Sequence, residues 1–478
     1  MSMEQKISTS IFAEFPAIDE AAVDALLRKE LERDQTKFVI LDDDPTGVQT
    51  VHDVSVYTDW SVESIKSGLR EEQKLFYILT NSRGLTAEET TAVHREIAAN
   101  VAKAAHETGK QYLIMSRSDS TLRGHYPLET ELLRQGMEAD GLTVDGEILC
   151  PFFREGGRFT IGNVHYVKYG DELVPAAQTE FARDKTFGYT HSDLPGYVEE
   201  KTGGRYTAGD VTCISLESLR AQDYAGIEAQ LMAVTGFGKV CVNAIDYCDA
   251  KVFAVALYRC LGRGKRFLFR TAAGLVKVVG GISDIPLLTR QDMVKLDTHT
   301  GGVVVVGSHT QKTTAQLNEL LTLPCVQAIE FNSDLVLEGD DALSAEVDRC
   351  VELEEEIIRA GKVAVCFTNR RLLTVENDTK ESALTRSVKI SQGVQSLVGR
   401  LKITPAFIIA KGGITSSTVG TEALGVKKAN VLGQIRPGIP VWQTDADSRF
   451  PGIPYVIFPG NVGDAATLRE AVEVLTAE

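Results

Sequence analysis

Three consecutive carboxylates, Asp42, Asp43 and Asp44, follow an apolar run and precede a Pro-Thr-Gly break. The apolar run predicts a buried strand and the break predicts a turn, so the acids should lie where the strand ends. In an open α/β sheet, ligands bind at the carboxyl ends of the strands. Adjacent carboxylates repel one another unless a cation, a sugar hydroxyl or a donor cluster compensates them. The pattern is equally typical of a solvated acidic turn with a helix-capping Asp.

Two more polar loops follow predicted strands. Residues 76–79 run into Thr-Asn-Ser-Arg-Gly (80–84), and residues 112–115 run into the segment SRSDSTLRGHYPLE (116–129). Helical patterns separate these strands, with acidic residues in the first turn of the segment 86–107. A βαβα order implies a parallel sheet whose loops share one edge. The three polar loops should therefore form a single rim.

The second half of the chain contains three turns of the strand–Gly–helix type: GSHT (307–310), KGGITSS (411–417) and PGNVGD (459–464). Glycines let backbone N–H groups face a ligand, and a helix N-terminus carries about +0.5 charge, so such turns bind anions. A single turn of this kind is more often structural, because strand-to-helix turns need Gly for geometry. Three in one domain favour a nucleotide, although none matches GxxxxGK[ST] or GxGxxG.

Composition excludes several classes of protein. The 478 residues are 43% apolar, which suggests two or three domains. A formal charge of −16 without a long basic run argues against a nucleic-acid partner. Eight cysteines without a CxxC pair indicate reduced thiols in a cytoplasmic protein. No secretion signal is recognisable, and no apolar run reaches the ~18 residues of a membrane span.

The alternation of strands and helices predicts the α/β class, with two domains that have mainly parallel sheets and face a cleft. Residues 1–36 should form a helical extension. Residues 37–281 should form a first domain with an insertion at about 150–202, where the alternation lapses into aromatic, Gly-rich and charged sequence. Residues 282–478 should form the second domain, after a Pro- and Gly-bearing stretch.

One reading of the acidic turn is a haloacid-dehalogenase-like phosphohydrolase. Asp42-x-Asp44-x-Thr46 resembles the DxDx[TV] motif of that class, residues 79–81 resemble its second motif, and VGDAAT (462–467) resembles its acidic motif. However, Pro45 replaces a usually small or variable position, the acidic match lies about a domain away, and the segment 116–129 is left unexplained. Short motifs of this length often match by accident.

A second reading rests on ten motifs in order from about residue 38 to the C-terminus. Together they resemble the four-carbon acid sugar kinase family, formerly a domain of unknown function. They are DDDPTG (42–47), NSRG (81–84), SRSDSTLRGHYPLE (116–129), GGRFTIGNVHYV (156–167), TEFARDKTFGY (179–189), FRTAAG (269–274), VVVGSHTQKTTAQL (304–317), KGGITSS (411–417), ALGVKKANVLGQIRPGIPVW (423–442) and FPGNVGD (458–464).

The resemblance implies an N-terminal domain for an aldonate-type substrate and a C-terminal domain for ATP. Characterised family members phosphorylate D-threonate, D-erythronate or 3-oxo-tetronate at the terminal hydroxyl. Two motifs depart from the family pattern: DDDPTG replaces the commoner DDxTG, and Arg117-Ser118-Asp119 replaces the usual Lys- or Arg-Gly-Asp. These departures bear on the identity of the substrate more than on the reaction.

The resemblance also implies site residues. On the nucleotide side we expect Ser308, Lys411, Gly412, Gly413, Ile414, Thr415, Gly460, Asn461 and Gly463. On the substrate side we expect the acidic turn, Ser82, Arg83, Asp119, Ser120, Thr121 and Arg123. Lys411 could equally be an ordinary surface lysine.

Phosphoryl transfer depends on positioning, charge neutralisation and a base for the attacking hydroxyl. We expect the base to be Asp43, Asp44 or Asp119, with Asp43 and Asp44 as Mg2+ ligands. Arg83 and Arg123 would hold the substrate carboxylate by paired hydrogen bonds. The structural alternative for Arg123 is an ion pair with Glu129 or a helix end.

Several questions stay open at the level of sequence. A non-catalytic protein that binds a sugar acid between its domains is a third reading. His125 and His165 lie in matched motifs but are as readily structural as ligand-binding. The expected partners are an acid sugar and ATP, with a homodimer as one allowed assembly. The sequence does not specify which acid is used.

Overall fold

The computed structural model describes residues 5–371, 373, 375, 378–460 and 462–477. The chain forms two compact units, Met1–Gly47 with Asp59–Asp284 and Val48–Thr58 with Ile285–Glu478. The chain therefore leaves the first unit just after the acidic turn and returns to it eleven residues later. The sequence did not indicate this excursion, and the domain boundaries inferred from the sequence stay a prediction.

Strands β1 to β12 precede the end of the first unit, and all except β3 belong to that unit. They are β1 (Ile7–Ser8), β2 (Lys37–Asp42), β3 (Val54–Tyr57), β4 (Leu75–Leu79), β5 (Tyr112–Arg117), β6 (Gly146–Cys150), β7 (Arg158–Ile161), β8 (Val164–Tyr169), β9 (Glu172–Pro175), β10 (Thr212–Ile214), β11 (Gly238–Val242) and β12 (Phe267–Thr271).

The α-helices of the first unit are α1 (Glu20–Arg33), α2 (Val62–Arg70), α3 (Ala87–Thr108), α4 (Leu128–Ala139), α5 (Leu194–Lys201), α6 (Leu216–Arg220), α7 (Tyr224–Ala233), α8 (Tyr247–Leu261) and α9 (Ala273–Val279). Short 3-10 segments lie at Thr9–Glu14, Ser82–Gly84, Ala176–Gln178, Glu180–Arg183 and Ala208–Asp210. The helix α3 begins with a capping box, in which the side chains of Thr86 and Glu89 accept hydrogen bonds from each other's backbone N–H groups.

The main sheet of the first unit is parallel, with the order β10-β11-β6-β12-β5-β2-β4 among the described residues. Its central strands are fully buried and apolar apart from residues at their ends, as expected for a parallel sheet covered by helices on both faces. The pairing of β2 with β4 and β5 brings Asp42 level with Leu79 and Arg117. The three polar loops of the sequence therefore leave the same edge.

The insertion folds as a small antiparallel sheet rather than as loose chain. Its order is β1-β9-β8-β7, so a two-residue strand from the N-terminal segment pairs with the insertion. A cluster of buried aromatic and aliphatic side chains joins the insertion to the main sheet, including Tyr126, Leu149, Tyr189 and Tyr197. Residues 1–36 thus contain this strand in addition to α1.

In the second unit the strands that follow β3 are β13 (Val303–Val306), β14 (Val326–Phe331), β15 (Val363–Thr368), β16 (Ile408–Lys411), β17 (Lys428–Arg436), β18 (Ile439–Thr444) and β19 (Pro454–Phe458). The helices are α10 (Arg290–Met293), α11 (Gln311–Leu320), α12 (Asp340–Arg359), α13 (Lys380–Gly399), α14 (Gly413–Thr418) and α15 (Thr467–Thr476). A 3-10 turn spans Ser333–Leu337, and a π-helical turn, Val419–Ala423, continues α14.

The sheet of this unit is mixed, with the order β3-β17-β18-β19-β16-β13-β15-β14 in the part of the chain that the structure describes. The strands β19, β16, β13, β15 and β14 are parallel neighbours, and the other three join antiparallel. The predicted class of two α/β domains with mainly parallel sheets is confirmed.

Two further observations concern the whole chain. All eight cysteines are free thiols. Among the described helices, none has the length and apolar character that a bilayer crossing requires.

Candidate functional site

The acidic turn at the end of β2 is largely buried. Asp42 and Asp43 are 2% and 4% exposed, whereas the Asp44 side chain is 25% exposed. The turn closes on itself, because Asp44 accepts hydrogen bonds from the Thr46 N–H (2.8 Å) and hydroxyl (2.6 Å). A Cβ at Gly47 would lie 1.8 Å from Asp42 Oδ2, so only glycine fits this position.

Two arginines neutralise the three acids. Arg83 donates to both oxygens of Asp43, at 3.2 and 2.5 Å, and to Asp44 at 3.0 Å. Arg117, the last residue of β5, donates to Asp42 at 3.1 Å. The bidentate Arg83–Asp43 pair has the geometry of a strong charge-assisted contact. The repulsion expected within the acidic run is therefore met by guanidinium groups from the next two strand ends.

Burial and the arginines give the three acids different pKa values. Burial raises the pKa of Asp42 to about 7, against the pull of Arg117. Burial also raises the pKa of Asp43, although Arg83 opposes this. For Asp44 burial is outweighed by Arg83 and the Thr46 hydrogen bonds, so its pKa is lowered. At neutral pH Asp44 is therefore ionised, and it is also the most exposed of the three.

The loop after β5 carries Asp119. This carboxylate accepts hydrogen bonds from Arg123 Nε (2.7 Å) and from the Thr121 hydroxyl. Burial alone would raise the pKa of Asp119, but Arg83 and Arg123 together lower it well below its usual range. Arg123 thus forms the kind of ion pair considered from the sequence, with Asp119 as its partner at 2.7 Å instead of Glu129.

Side chains of the insertion hydrogen-bond to the backbone of this loop. His165 Nε2 donates to the Ser120 carbonyl at 2.7 Å, and the Thr160 hydroxyl donates to His165 Nδ1 at 3.0 Å. Tyr189 and Tyr197 donate to the carbonyls of residues 121 and 122, at 2.7 and 2.9 Å. These bonds fix the loop backbone, and His165 is a structural support.

Three of the expected substrate residues point away from solvent. Ser82 is fully buried and donates to Glu129 at 2.6 Å, while Ser120 and Thr121 are 8% and 1% exposed. Glu129 also lies 3.7 Å from Arg270, whose Nη2 donates to the Arg123 carbonyl. The structure therefore brings Asp43, Asp44, Arg83, Asp119 and Arg123 to one rim, with these hydroxyls beneath it.

Arg158, at the start of β7, is a residue that sequence reasoning did not single out. Its guanidinium carbon lies 5.4 Å from the centre of the Phe181 ring, and that of Arg123 lies 5.1 Å from the same ring. The two cations therefore share one aromatic side chain of the insertion. The signal available in the sequence was the position of Arg158 inside the motif GGRFTIGNVHYV.

In the second unit, the three Gly turns leave the adjacent parallel strands β13, β16 and β19. The turns pack closely, because a Cβ at Gly307 would lie 2.3 Å from the Thr415 hydroxyl. Gly412 has φ 119°, a conformation that favours glycine, and a Cβ there would lie 3.5 Å from Ser308 Cβ. A Cβ at Gly413 or Gly460 would meet no atom within 4 Å among the described residues.

The remaining predicted nucleotide residues are distributed differently. Ile414 is 74% exposed, whereas Thr415 is 8% exposed. Gly463 has φ 79° and packs against Thr467. Asn461 lies outside the described residues.

Lys411 occupies another position from the one expected of a phosphate ligand. It is fully buried, and its ammonium donates to the carbonyls of Pro459 and Gly460 at 2.6 and 3.3 Å. Burial, with repulsion from Lys312, lowers the pKa of Lys411 to about 7. Because β16 lies next to β19 in the sheet, the side chain at its end reaches the turn that follows β19. It holds the turn in place from inside.

Arg370, just after β15, was missed by sequence reasoning because it lies in no turn motif. Its Nη2 donates to the Ser308 carbonyl (2.6 Å) and the Thr314 hydroxyl (2.9 Å). Its Nε and Nη1 have no hydrogen-bond partner among the described residues, and no carboxylate there forms an ion pair with it. Burial lowers the pKa of Arg370. An uncompensated guanidinium beside the Ser308 turn suits an anion.

A cavity of about 380 Å³ opens beside the same turns. Its wall includes Gly307 and Thr415 from the turns, Ile390 and Val394 from α13, and the exposed Ile414. The wall combines aliphatic side chains with polar and charged ones, among them Arg371, Asp378 and Arg386, and the volume is typical of small-molecule sites.

The carboxylates do not form a ready cation site. No group of three His, Cys, Asp or Glu side chains in the described part of the chain could hold a metal ion. Both oxygens of Asp43 and one of Asp44 already accept hydrogen bonds from Arg83. The expected role of Asp43 and Asp44 as Mg2+ ligands therefore does not fit their present partners.

The dehalogenase-like reading is not supported by the geometry. Asp42, its nucleophile in that reading, is 2% exposed, packed against Gly47 and paired with Arg117. Asp464, in the acidic-motif match, belongs to the other unit and accepts a hydrogen bond from the Thr467 hydroxyl. An enclosed carboxylate cannot reach a phosphate ester.

Comparisons with solved structures show the same fold. A Salmonella typhimurium LT2 protein provisionally named a tRNA synthase aligns with a TM-score of 0.67 and 17% identity, over 91% of this chain and 98% of its own. A Haemophilus influenzae protein of the DUF1537 family aligns with a TM-score of 0.61 and 16% identity, over 91% and 100%. A search among curated proteins found no significant match.

Two family models match the chain in order. Residues 38–279 match a sugar-binding N-terminal domain, which covers the rim of the first unit, and residues 303–468 match a nucleotide-binding C-terminal domain, which covers the three Gly turns. The ligand classes inferred from the polar loops and from the Gly turns are thus assigned to the same halves of the sequence. The chain belongs to the four-carbon acid sugar kinase family.

Proposed function

We propose that the protein is an ATP-dependent kinase that phosphorylates the terminal hydroxyl of a four-carbon acid sugar of the threonate, erythronate or oxo-tetronate type. The observation that carries this proposal is the set of three Gly turns on adjacent strands, with open space at Gly413 and Gly460, beside Arg370 and a cavity of about 380 Å³. In this proposal residues 37–281 form the acid-sugar domain and residues 282–478 form the ATP domain of a cytoplasmic enzyme.

The ATP phosphates lie against the turns after β13 and β16. Gly412 and Gly413 allow close approach of the backbone, and Ser308 and Thr415 add hydroxyl donors. Arg370 compensates phosphate charge from the neighbouring strand end. The adenosine occupies the cavity between Ile414 and α13, where aliphatic side chains can pack on the base.

The acid sugar binds at the rim of the first unit. Asp44 is the general base, since it is the ionised and most exposed acid of the turn. Arg83 compensates Asp43 and orients the Asp44 carboxylate through its 3.0 Å hydrogen bond. Asp119 is held in one rotamer by Arg123 and Thr121, so it can accept a substrate hydroxyl without rearrangement.

In this proposal Mg2+ bound with the nucleotide neutralises the charge of the phosphates. Phosphoryl transfer by kinases generally uses metal ions that bridge the phosphates. Because Asp43 and Asp44 are engaged by Arg83, we assign no protein carboxylate to the ion.

The decisive experiment is a coupled assay of ADP release with Mg-ATP across D- and L-threonate, D- and L-erythronate and the 3-oxo-tetronates. We expect ATP turnover with at least one of these acids and none with the corresponding neutral tetritols. Absence of ATP turnover together with release of phosphate from sugar phosphates would overturn the proposal in favour of a phosphohydrolase. Binding of ATP or an acid sugar without any turnover would instead indicate a non-catalytic binder.

A further inference from the structure

We propose that Arg158 binds the carboxylate of the acid sugar, beside Arg123, and so selects acids over neutral sugars at the rim of the first unit. This inference rests on the proposed function, because it names the group that recognises the substrate's charge. It differs from the sequence-based expectation, which gave the substrate carboxylate to Arg83 and Arg123.

The backbone of Arg158 is rigidly placed. Its N–H donates to the Phe153 carbonyl at 2.9 Å, and its carbonyl accepts from the Phe153 N–H at 3.1 Å. The residue then begins β7, which pairs with β8 through Val167. Binding of a ligand by this side chain therefore requires no further ordering of its backbone.

The guanidinium is only partly satisfied. Its Nη1 donates to the Gly156 carbonyl, and its buried Nε has no hydrogen-bond partner among the described residues. Its planar fork lies 5.4 Å from the Phe181 ring centre. A desolvated N–H group without a partner is unfavourable, so this Nε–H is a donor that a bound oxygen would satisfy.

The charge of Arg158 is also uncompensated. Within the described residues no carboxylate lies within ion-pair distance of it, whereas Arg83, Arg117 and Arg123 each have two. Burial lowers the pKa of Arg158, because it outweighs the more distant attraction of Asp119. Of the two guanidinium groups that share the Phe181 ring, Arg123 has both ion pairs, with Asp119 at 2.7 Å and with Asp184 at 3.8 Å, and Arg158 has none among the described residues.

A carboxylate is the ligand group that this arrangement accepts. Its two oxygens match the paired N–H groups of a guanidinium. Arg83 is the poorer candidate, because it already donates to both oxygens of Asp43 and to Asp44. Binding a substrate carboxylate at Arg83 would break these contacts and leave buried acids unpaired, which is costly. Binding it at Arg158 breaks no ion pair.

The test measures binding to the full chain by calorimetry, without turnover. The ligands are the acid that gives the highest turnover in the ADP assay, or each four-carbon acid in turn if none does, and the neutral tetritol of the same stereochemistry. Arg158→Gln removes the charge, Arg158→Lys keeps the charge without the fork, and Arg183→Gln is the control. Arg183 is exposed and lies in the same insertion, two residues after Phe181.

We expect Arg158→Gln to weaken acid binding by about thirtyfold or more, which is the scale of a lost charged hydrogen-bond pair. Its affinity for the tetritol and for ATP should stay within about twofold of the wild type, because neither ligand uses this charge. Arg158→Lys should fall between, and Arg183→Gln should match the wild type. The specific result is a collapse of the acid-to-tetritol affinity ratio, which a merely structural defect would not produce.

The inference is overturned if Arg158→Gln keeps the acid-to-tetritol ratio of the wild type. If Arg158→Gln does not fold, Arg158→Lys decides alone, and an unchanged ratio in that variant has the same meaning. Failure of the wild type to bind any four-carbon acid overturns the proposed function together with the inference. Acid binding by the wild type with an unchanged variant ratio overturns the inference only.

Discussion

The two candidate sites differ in how their charges are satisfied. In the first unit, carboxylates and guanidinium groups are joined to each other, as in the contacts of Arg83 with Asp43 and Asp44. In the second unit, the turns consist of Gly, Ser and Thr, and Lys411 faces inward to carbonyls. Arg370, which lies beside the first of these turns, has no carboxylate partner among the described residues.

This difference reflects the ligands that each rim suits. A nucleotide always brings the same phosphates, so backbone N–H groups and one cation serve every turnover. A small polyhydroxy acid must be distinguished from close relatives, which requires side chains in defined orientations. Mutual ion pairs hold such side chains in place before the ligand arrives. We therefore expect the site in the first unit to be sensitive to single charge changes. The site in the second unit should be sensitive to side-chain volume at the Gly turns and to the charge of Arg370.

The largest expected effect is that of Asp44→Asn. Asn keeps the oxygen that accepts from Thr46 but loses the charge that faces Arg83. We expect kcat to fall by about a thousandfold, the usual scale for loss of a general base, with ATP affinity unchanged. ADP release and calorimetry measure the two quantities.

The control for this variant is Asp53→Asn, since the Asp53 side chain is 73% exposed. It should leave kcat unchanged. If Asp44→Asn retains more than about a tenth of the wild-type kcat, Asp44 is not the base, because losing a base costs far more than that.

The dependence of the unfolding free energy on pH tests the role of His165, which supports the loop after β5. Burial lowers its pKa to about 4, from an ordinary value near 6.5. The unfolded chain then takes up a proton that the folded chain excludes. The resulting stabilisation is complete above about pH 6.5 and is lost as the pH falls towards 4, by up to about 3 kcal/mol.

Urea unfolding at pH 7.5 and pH 5 measures this effect. We expect His165→Gln to show a smaller loss of unfolding free energy on acidification than the wild type. His106→Gln is the control, because the His106 side chain is 70% exposed. Equal pH dependence in the wild type and His165→Gln would contradict a neutral buried imidazole.

Arg370→Met tests the guanidinium beside the Gly turns of the second unit, which has no carboxylate partner among the described residues. We expect ATP affinity to fall by about thirtyfold, as for loss of a charged hydrogen-bond partner of an anion. Arg359→Met is the control, because Arg359 ends α12 of the same unit, has a 56% exposed side chain and pairs with Glu355. Equal ATP affinities for the two variants, measured by calorimetry, would rule out a phosphate role for Arg370.

The smallest expected effect is that of Gly413→Val. A Cβ at this position meets no described atom within 4 Å, so the fold should tolerate the change. The added side chain would occupy space in front of the turn, and we expect about tenfold weaker ATP binding with an unchanged melting temperature. Gly209→Val, at an open position of the first unit, is the control. Unchanged ATP affinity would place the phosphates elsewhere.

Much of the fold follows from local sequence patterns. The run of four valines at 303–306 is β13 itself, and the helix predicted at 86–107 is α3 shifted by one residue. Buried parallel strands are easy to recognise because they are continuous apolar runs between turn residues. The strands β3, β17 and β18 were not recognised. β17 mixes polar and apolar residues, and its pairing with β18 shifts register twice.

The site was predictable as a set of loops but not as a set of contacts. Strand ends place Asp44, Arg83 and Asp119 on one edge, which the βαβα order requires. The direction of a side chain at a strand end depends on its neighbours in the sheet. For that reason Ser82 and Lys411 turned inward although their backbones lie where expected. Arg158 and Arg370 stand out because each has a buried guanidinium nitrogen and no counter-ion within the described part of the chain, which only three-dimensional contacts reveal.

The short excursion of Val48–Thr58 determines how the protein can be dissected. It supplies β3, which pairs with β17 in the second unit from Val54–Val431 to Tyr57–Lys428. A fragment that begins at Ile285 would contain every Gly turn and yet expose the nine-residue β17 as a free edge, which invites aggregation. Neither unit is a contiguous gene segment. Truncation, tagging or domain exchange at the 284/285 junction should therefore fail unless residues 48–58 are supplied with the second half.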